Sequence, residues 1–235
     1  MLRIIAPLLL VFSFSTALAQ QAPPYPFTDC LNQVPYGSPN VRPNTTTICR
    51  KAYLLNHDPV AKIASWTAHT LTPQRAMGCL ARDDAFAADQ SIQKGLRSEP
   101  IDYKGSGYDQ GHRGPWKQLE TAVRAWSHEY KHSYTIYAGN IWYPTSKTIG
   151  PNKVVVPERL FKIIINNTSK QNLAFLMPNV AGVSSEIKPF QVSVAEIESI
   201  TGLTFPVPDS KMMKNYIPPI NFKKLTEDKK IMCKQ

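Results

Sequence analysis

A single histidine stands where a short extended stretch meets the start of an amphipathic helix. The run reads SGYDQGHRGPWKQLE from Ser106 to Glu120, and the histidine is His112. A neutral imidazole can take a proton from a water molecule and so generate a nucleophile, which is the chemistry of a hydrolase. This junction is therefore the first candidate for an active site.

Strands and helices must position the junction. The clearest helix follows Pro115, which suits a first helical turn. Apolar residues then recur at helical spacing: Trp116, Leu119, Val123 and Trp126. A second helix begins with a capping box of Ser193 and Glu196 and stops at Gly202.

Short apolar or β-branched runs between turn residues predict strands. These runs are Ile63 to Leu71, Tyr134 to Trp142, Leu160 to Asn166 and Leu173 to Met177. Together with the helices, they are typical of an α+β fold with a central antiparallel sheet flanked by helices.

Residues 1–19 have the features of an export signal. Arg3 supplies the positive start, residues 4–17 form an apolar core, and Ala17-Leu18-Ala19 is a small-x-small cleavage site. The apolar stretch is shorter than the roughly 20 residues of a spanning helix, so cleavage is favoured over a retained anchor. We expect residues 20–235 to form one exported domain, periplasmic or secreted, with an irregular arm at 21–43, a basic tail at 217–235 and no membrane contact.

The chain is basic. Its formal charge is +10, and Arg3 is the only charged residue of the expected signal, so the mature protein would carry +9. This charge suits a polyanionic partner such as nucleic acid. Exported proteins that bind no polyanion can be equally basic, so the charge supports this partner without establishing it.

Four cysteines fit an oxidising compartment and permit three pairings. None of them forms a CxxC pair, which argues against a zinc site. We expect Cys30 to close a local loop with Cys49, and Cys79 to tie Cys233 in the tail to the body of the domain. The other two pairings stay compatible with the sequence.

Eight segments, taken in order, resemble the DNA/RNA non-specific endonucleases, the group that includes the Serratia-type nuclease and mitochondrial endonuclease G. Each alone is a weak match, and their order makes the resemblance specific. The segments are CRKAYLLNHDP, IASWTAHTLT, RDDAFAAD, IDYKGSGYDQGH, GPWKQLE, VVVPERLFKIII, AFLMPN and FQVSVAEIESITGL. The resemblance implies a ββα-metal (His-Me finger) nuclease-like fold.

The family's signature is Asp-Arg-Gly-His, then a loop, then an asparagine that opens a helix carrying a glutamate. By resemblance His112 is the general base, Asp109 ends the strand that presents it, and Gly111 permits a tight turn there. A Mg²⁺ ion, with Mn²⁺ or another divalent metal as alternatives, would neutralise charge on the scissile phosphate and its leaving oxygen. Gln110 replaces the family's arginine, and its neutral amide binds phosphate more weakly than a guanidinium.

Two further residues have roles implied by the resemblance. Arg82 matches a family arginine and would stabilise charge in the transition state, or else form a surface ion pair with Asp83 or Asp84. Glu120 matches the helix glutamate and would hold metal-bound water or orient the site, or else pair with Arg124 one turn along the helix.

The segment after His112 is shortened. Relatives carry a longer excursion there, including the asparagine that ligates the metal, whereas this chain passes through Arg113 and Gly114 directly into the helix. If the helix is aligned instead, His112 falls on the asparagine position, where an imidazole would favour a transition metal over Mg²⁺. The chain keeps the position of the base or of the ligand but not both, so the metal ligand is undetermined.

The remaining polar and aromatic candidates are interpreted as structural. We expect core or helix-end histidines, turn asparagines, and core and strand aromatics. The histidines are His57, His69, His128 and His132; the asparagines are Asn140, Asn152, Asn166 and Asn167; the aromatics are Tyr130, Tyr134, Tyr137 and Trp142.

The expected function is a secreted, metal-dependent endonuclease that hydrolyses phosphodiester bonds of DNA and RNA without sequence preference. The alternative is a catalytically impaired relative that binds nucleic acid or is a decayed paralogue, because the loop with the ligand asparagine is missing. Metal-dependent hydrolysis separates the two, since salt-sensitive binding without cleavage would favour the alternative.

Overall fold

The computed structural model describes residue 30 and residues 32–79, 86–108, 114–212 and 216–233. Its strands are β1 (Thr46–Arg50), β2 (Tyr53–Asp58), β3 (Ile63–Leu71), β4 (Tyr134–Ile141), β5 (Thr148–Ile149), β6 (Val154–Val155), β7 (Arg159–Asn166), β8 (Asn172–Pro178) and β9 (Gln191–Val192). Seven of them form one sheet in the order β1-β2-β3-β4-β7-β8-β9, while β5 and β6 form a separate hairpin. Every pairing is antiparallel. The predicted α+β fold with a central antiparallel sheet is confirmed, and each of the four predicted strands is present.

The helices in the described ranges are α1 (Pro73–Met77), α2 (Pro100–Tyr103), α3 (Gly114–Tyr130), α4 (Val194–Thr201) and α5 (Phe222–Met232). α4 has its predicted ends, because the Ser193 side chain accepts from the Glu196 backbone N–H at 2.9 Å and Gly202 stops the helix with φ 68°. A search of these helices finds none with the length and apolar character needed to cross a bilayer.

The sheet separates two apolar cores. Side chains alternate between its faces along each strand, so neighbouring residues enter different cores. Trp66, Tyr137 and Phe161 lie in the core that α4 and the N-terminal arm cover. Ile164 and Phe175 lie in the core that α3 covers, beneath its Trp116, Leu119 and Trp126.

The basic tail contains a helix that the sequence did not reveal. α5 has a single buried residue, Leu225, and therefore lacks a strong apolar stripe. It is held by tertiary contacts: Leu225 packs against Met77 and Ala125. Just before the helix, the Trp126 indole N–H donates to the carbonyl oxygens of Pro218 and Pro219 at 3.1 and 3.0 Å. The predicted basic tail at 217–235 is therefore helical over Phe222–Met232.

Two disulfides have the expected pairing. Cys30 joins Cys49, which ties the N-terminal arm to β1, and Cys79 joins Cys233, which ties the residue after Gly78 to the end of α5. In its described part, residue 30 and residues 32–43, the arm has no strand or α-helix, as predicted.

Candidate active site

Glu120 lies near the beginning of α3 and is held through one of its oxygens. Trp116, one turn earlier, donates its indole N–H to Glu120 Oε1 at 2.8 Å. Lys162 Nζ of β7 donates to the same oxygen at 3.4 Å. Within the described ranges Oε2 makes no hydrogen bond, and the Glu120 side chain is 44% exposed. Glu120 thus has one anchored oxygen and one oxygen available to a ligand.

Lys162 is a charged residue within the core. Its side chain is 6% exposed, and its Nζ lies 4.2 Å from the centre of the Trp116 ring. Burial lowers the pKa of Lys162, and the Glu120 carboxylate opposes that shift. The helix and the sheet therefore meet through a charged pair beside an indole, at the margin of an otherwise apolar core.

His69 of β3 lies on the same face of the sheet as Lys162. The register pairs His69 with Ile136 and Lys162 with Ala138, and these two β4 residues project to the side that α3 covers. Burial lowers the pKa of His69 to about 4, helped by the positive charges of Lys162 and Arg75 and opposed by Glu120. The His69 imidazole is consequently neutral at physiological pH.

Arg124 makes different contacts from those that its spacing suggested. Its guanidinium donates to the backbone carbonyl oxygens of Ala76 and Met77 at 2.8 and 3.1 Å. Glu120 instead contacts Trp116 and Lys162. The alternative of an ordinary surface ion pair between Glu120 and Arg124 is therefore wrong, because Arg124 is engaged at the end of α1.

Arg82, with Asp83 and Asp84, lies outside the described residues, but both flanks of its segment are fixed. Before the segment, Cys79 is bonded to Cys233. Cys79 follows Ala76 and Met77 of α1, whose carbonyl oxygens accept from Arg124. After the segment, Asp89 forms an ion pair with Arg50. The first flank lies beside α3, the helix that carries Glu120.

His112 and its neighbours Asp109, Gln110 and Gly111 also lie outside the described residues. The residue that precedes them, Tyr108, packs against a small cluster of Ile149, Val154 and Val156. The chain re-enters the described structure at Gly114, the first residue of α3. One flank of each segment thus lies at α3, which also presents Glu120: the end of α1 before the Arg82 segment, and Gly114 after His112.

The available carboxylate oxygen of Glu120 suits a hydrated hard cation. No group of three or more His, Cys, Asp or Glu side chains that could hold a metal ion occurs in the described part of the chain. Mg²⁺ commonly keeps several waters and binds through one or two carboxylates. The available Oε2 of the half-exposed Glu120 fits such an ion, whereas a dehydrated cage would need more protein ligands.

Three of the other histidines have the structural role that was predicted. The His57 ring contacts the Leu96 carbonyl oxygen at 2.7 Å, and His128 contacts Asp228 at the same distance. His132 Nδ1 lies 2.9 Å from the Asn166 amide nitrogen.

The asparagine and tyrosine predictions hold in part. Asn140 is a strand residue of β4 and not a turn residue, and its amide donates to the Ala64 carbonyl oxygen at 2.7 Å. Asn152 donates to Asp102 at 3.2 and 3.0 Å. Tyr134 and Tyr137 are buried as predicted, whereas Tyr130, at the end of α3, is 38% exposed and is not a core residue.

Lys162 is the site residue that sequence reasoning missed. It occurs within the family-like segment VVVPERLFKIII, where it is the only charged residue between Leu160 and Ile165. A lysine in the middle of an apolar strand is the signal that could have identified it, because ammonium groups are rarely buried without a partner.

Comparison with known proteins gives a consistent result. A family model for the DNA/RNA non-specific endonucleases matches residues 35–112 and 113–208. The two matched parts meet at His112 and Arg113, where the sequence indicated a shortened segment. Human mitochondrial endonuclease G is 25% identical over 202 residues, covering 66% of this chain and 68% of that protein. Nuclease C1 of Cunninghamella echinulata var. echinulata is 24% identical over 204 residues, covering 66% of this chain and 81% of that nuclease.

The fold is also similar to that of a solved structure. The crystal structure of the EndoG/EndoGI complex, which concerns the mechanism of EndoG inhibition, matches with a TM-score of 0.65 and 24% sequence identity. The match covers 77% of this chain and 92% of the other. It supports the arrangement of sheet and helices described above.

Proposed function

Because the chain belongs to the DNA/RNA non-specific endonuclease family, we propose that it hydrolyses phosphodiester bonds in DNA and RNA without sequence preference, using a divalent cation. The family match, over residues 35–112 and 113–208, carries this conclusion. The charge of +10 on the whole chain supports it, since a basic protein attracts polyanionic substrates.

His112 is proposed as the general base. Its neutral imidazole takes a proton from a water molecule, the water oxygen attacks the phosphorus atom, and the bond from phosphorus to the leaving oxygen breaks. The leaving oxygen takes a proton from solvent. Arg82 stabilises the negative charge that develops on the phosphoryl oxygens.

Glu120 is proposed to hold water of the cation through Oε2. Mg²⁺, when bound, supplies positive charge that neutralises the scissile phosphate and its leaving oxygen. The observation that supports this role for Glu120 is its asymmetry, with Oε1 held by Trp116 and Lys162 and Oε2 available.

Export is proposed as well. Residues 1–19 have the pattern of a cleavable signal. The pairing of all four cysteines in two disulfides supports an oxidising destination.

The test is cleavage of plasmid DNA and of RNA by residues 20–235, purified and supplied with Mg²⁺, Mn²⁺ or a chelator. We expect cleavage that requires the cation and falls by roughly 100-fold or more in His112→Ala. Lys117→Ala, an exposed change on α3, is the matched control and should cleave like the wild type. Cleavage that persists unchanged in His112→Ala would refute the base, and binding without any cleavage would refute the enzyme.

A second variant separates the two alignments of His112. If His112 is the base, His112→Asn should be as inactive as His112→Ala, because an amide does not accept a proton at neutral pH. If His112 instead occupies the metal-ligand position, His112→Asn restores an oxygen ligand and should keep cleavage with Mg²⁺. Activity of His112→Asn with Mg²⁺ would therefore show that His112 is a metal ligand and not the general base.

A further inference from the structure

Lys162 lies on the face of the sheet that α3 covers, in the middle of β7. Leu160 and Ile164, two residues away on either side, belong to the apolar core beneath α3. Across the sheet Lys162 is paired with Ala138 on β4 and Phe175 on β8. The whole residue, backbone and side chain together, is 5% exposed, as expected of a core residue.

Both described partners of the Lys162 ammonium group belong to α3. The ammonium lies 4.2 Å from the centre of the Trp116 ring and donates to Glu120 Oε1 at 3.4 Å. The Trp116 indole N–H donates to the same oxygen at 2.8 Å. One carboxylate oxygen therefore receives two donors, one from the sheet and one from the helix.

A contribution to stability is a weak explanation for this arrangement. A buried ammonium loses its hydration, and replacement of buried ion pairs by well-packed apolar residues is often neutral or stabilising. The attraction to a half-exposed carboxylate at 3.4 Å is weakened by solvent. The location of Lys162 is better explained by what it does to Glu120 than by a contribution to folding.

We propose that Lys162 is a positioning residue for Glu120: with Trp116 it fixes Oε1, so that Oε2 is presented to the water shell of the divalent cation. This inference rests on the proposed function. Lys162 itself touches neither substrate nor cation and acts only through Glu120.

The first test reads cation binding without turnover. Mn²⁺ broadens NMR signals of nearby protons, and the Trp116 indole N–H lies at Glu120, whereas that of Trp126 is bonded to Pro218 and Pro219 and is an internal control. We expect Lys162→Met to raise the Mn²⁺ concentration that half-broadens the Trp116 signal by roughly 10-fold, as for loss of an outer-shell partner. If the lysine acted only through its charge, its removal would abolish repulsion and lower that concentration. A lower or unchanged value would overturn the proposal.

The second test is a double-mutant cycle in cleavage. We expect Lys162→Met to lower kcat by roughly 10- to 100-fold with little change in KM, and to add nothing in a Glu120→Gln background. Trp116→Phe, which removes the other donor, should lower kcat in the same way. Lys162→Arg keeps a charged donor and should retain more activity than Lys162→Met. Lys170→Met, which removes an exposed lysine 5.4 Å from the Tyr36 ring, is the matched control.

The two failures are distinguishable. If the wild type cleaves no nucleic acid with any cation, the proposed function fails and the positioning role fails with it. If the wild type cleaves and Lys162→Met loses equal activity with and without the Glu120 carboxylate, the proposed function stands and the positioning role is refuted. Thermal unfolding shows whether each variant is folded. If Lys162→Met does not fold, Trp116→Phe tests whether anchoring of Glu120 Oε1 matters, because it leaves the residues of the sheet unchanged.

Discussion

Arg124 of α3 donates from Nε to the backbone carbonyl oxygen of Ala76 at 2.8 Å, and this bond fixes the end of α1 against α3. The last carbonyl oxygens of a helix lack partners within it, and a positive charge at this end interacts favourably with the helix dipole. Arg124 thereby connects the chain that leads to Arg82 with the helix that carries Glu120.

We expect Arg124→Ala to lower the free energy of unfolding by roughly 2 kcal/mol, because two carbonyl oxygens lose a charged donor. Cleavage should fall as well, since the flank of the Arg82 segment is released. Urea denaturation measures the first effect, with the exposed Lys117→Ala as control. Equal stability of Arg124→Ala and the control would show that the contact is dispensable.

The two disulfides should differ in their contribution. Cys79–Cys233 closes a separation of 154 residues and Cys30–Cys49 one of 19. In the chain-entropy description the longer loop stabilises the fold by about 5 kcal/mol and the shorter by about 3 kcal/mol. We expect Cys79→Ser with Cys233→Ser to lower the free energy of unfolding more than Cys30→Ser with Cys49→Ser, as measured in guanidinium chloride. The reverse order would indicate that structure left in the unfolded chain, rather than loop length, decides the effect.

Gly150 should not tolerate a side chain. It has φ 68°, and a Cβ added there would lie 2.2 Å from the Asp102 Cα, where Asp102 accepts from Asn152. Gly182 has a similar φ of 77° with nothing within 4 Å of its added Cβ. We expect Gly182→Ala to lower the free energy of unfolding by about 1 kcal/mol through backbone strain alone, and Gly150→Ala by roughly 3 kcal/mol because a clash is added. Thermal unfolding compares the stabilities of the two variants. Equal losses of stability would show that Gly150 does not approach Asp102 closely.

His69 should make stability depend on pH. Its pKa falls from 6.5 to about 4 on folding, so the unfolded chain binds more protons between these values. The stabilisation is present above pH 6.5 and is lost as pH falls toward 4, by up to roughly 3 kcal/mol. His69→Gln should remove this slope from the free energy of unfolding measured between these pH values. Because the Lys162 charge lowers the pKa of His69, Lys162→Met should raise it in an NMR titration, and an unchanged value would place the two groups further apart.

Much of the fold was predictable because local patterns agreed with the tertiary structure. β3 was predicted with its observed bounds, from Ile63 to Leu71, and α4 begins after Ser193 and ends before Gly202 as its capping residues indicated. α5 was not predictable, because only Leu225 is buried and its position depends on contacts with α3.

For the candidate site the sequence supplied only a set of candidate residues. The run from Asp109 to His112 and the helix glutamate were proposed from their order in the chain. The partner of Glu120 was not, since residues 42 positions apart, Glu120 and Lys162, meet only when β7 joins β4 beneath α3. The i+4 spacing instead indicated Arg124, which tertiary contacts direct to the end of α1.

The sequence by itself determined the family, the α+β class and the cysteine chemistry, and it indicated candidate catalytic residues, because these depend on local patterns and on the order of motifs. The tertiary structure decided which oxygen of Glu120 is anchored, that Lys162 is buried beside it and that the tail docks on α3. These features depend on contacts between distant parts of the chain. Burial of the sheet face beneath α3 brings those parts together, and no local sequence pattern encodes such contacts.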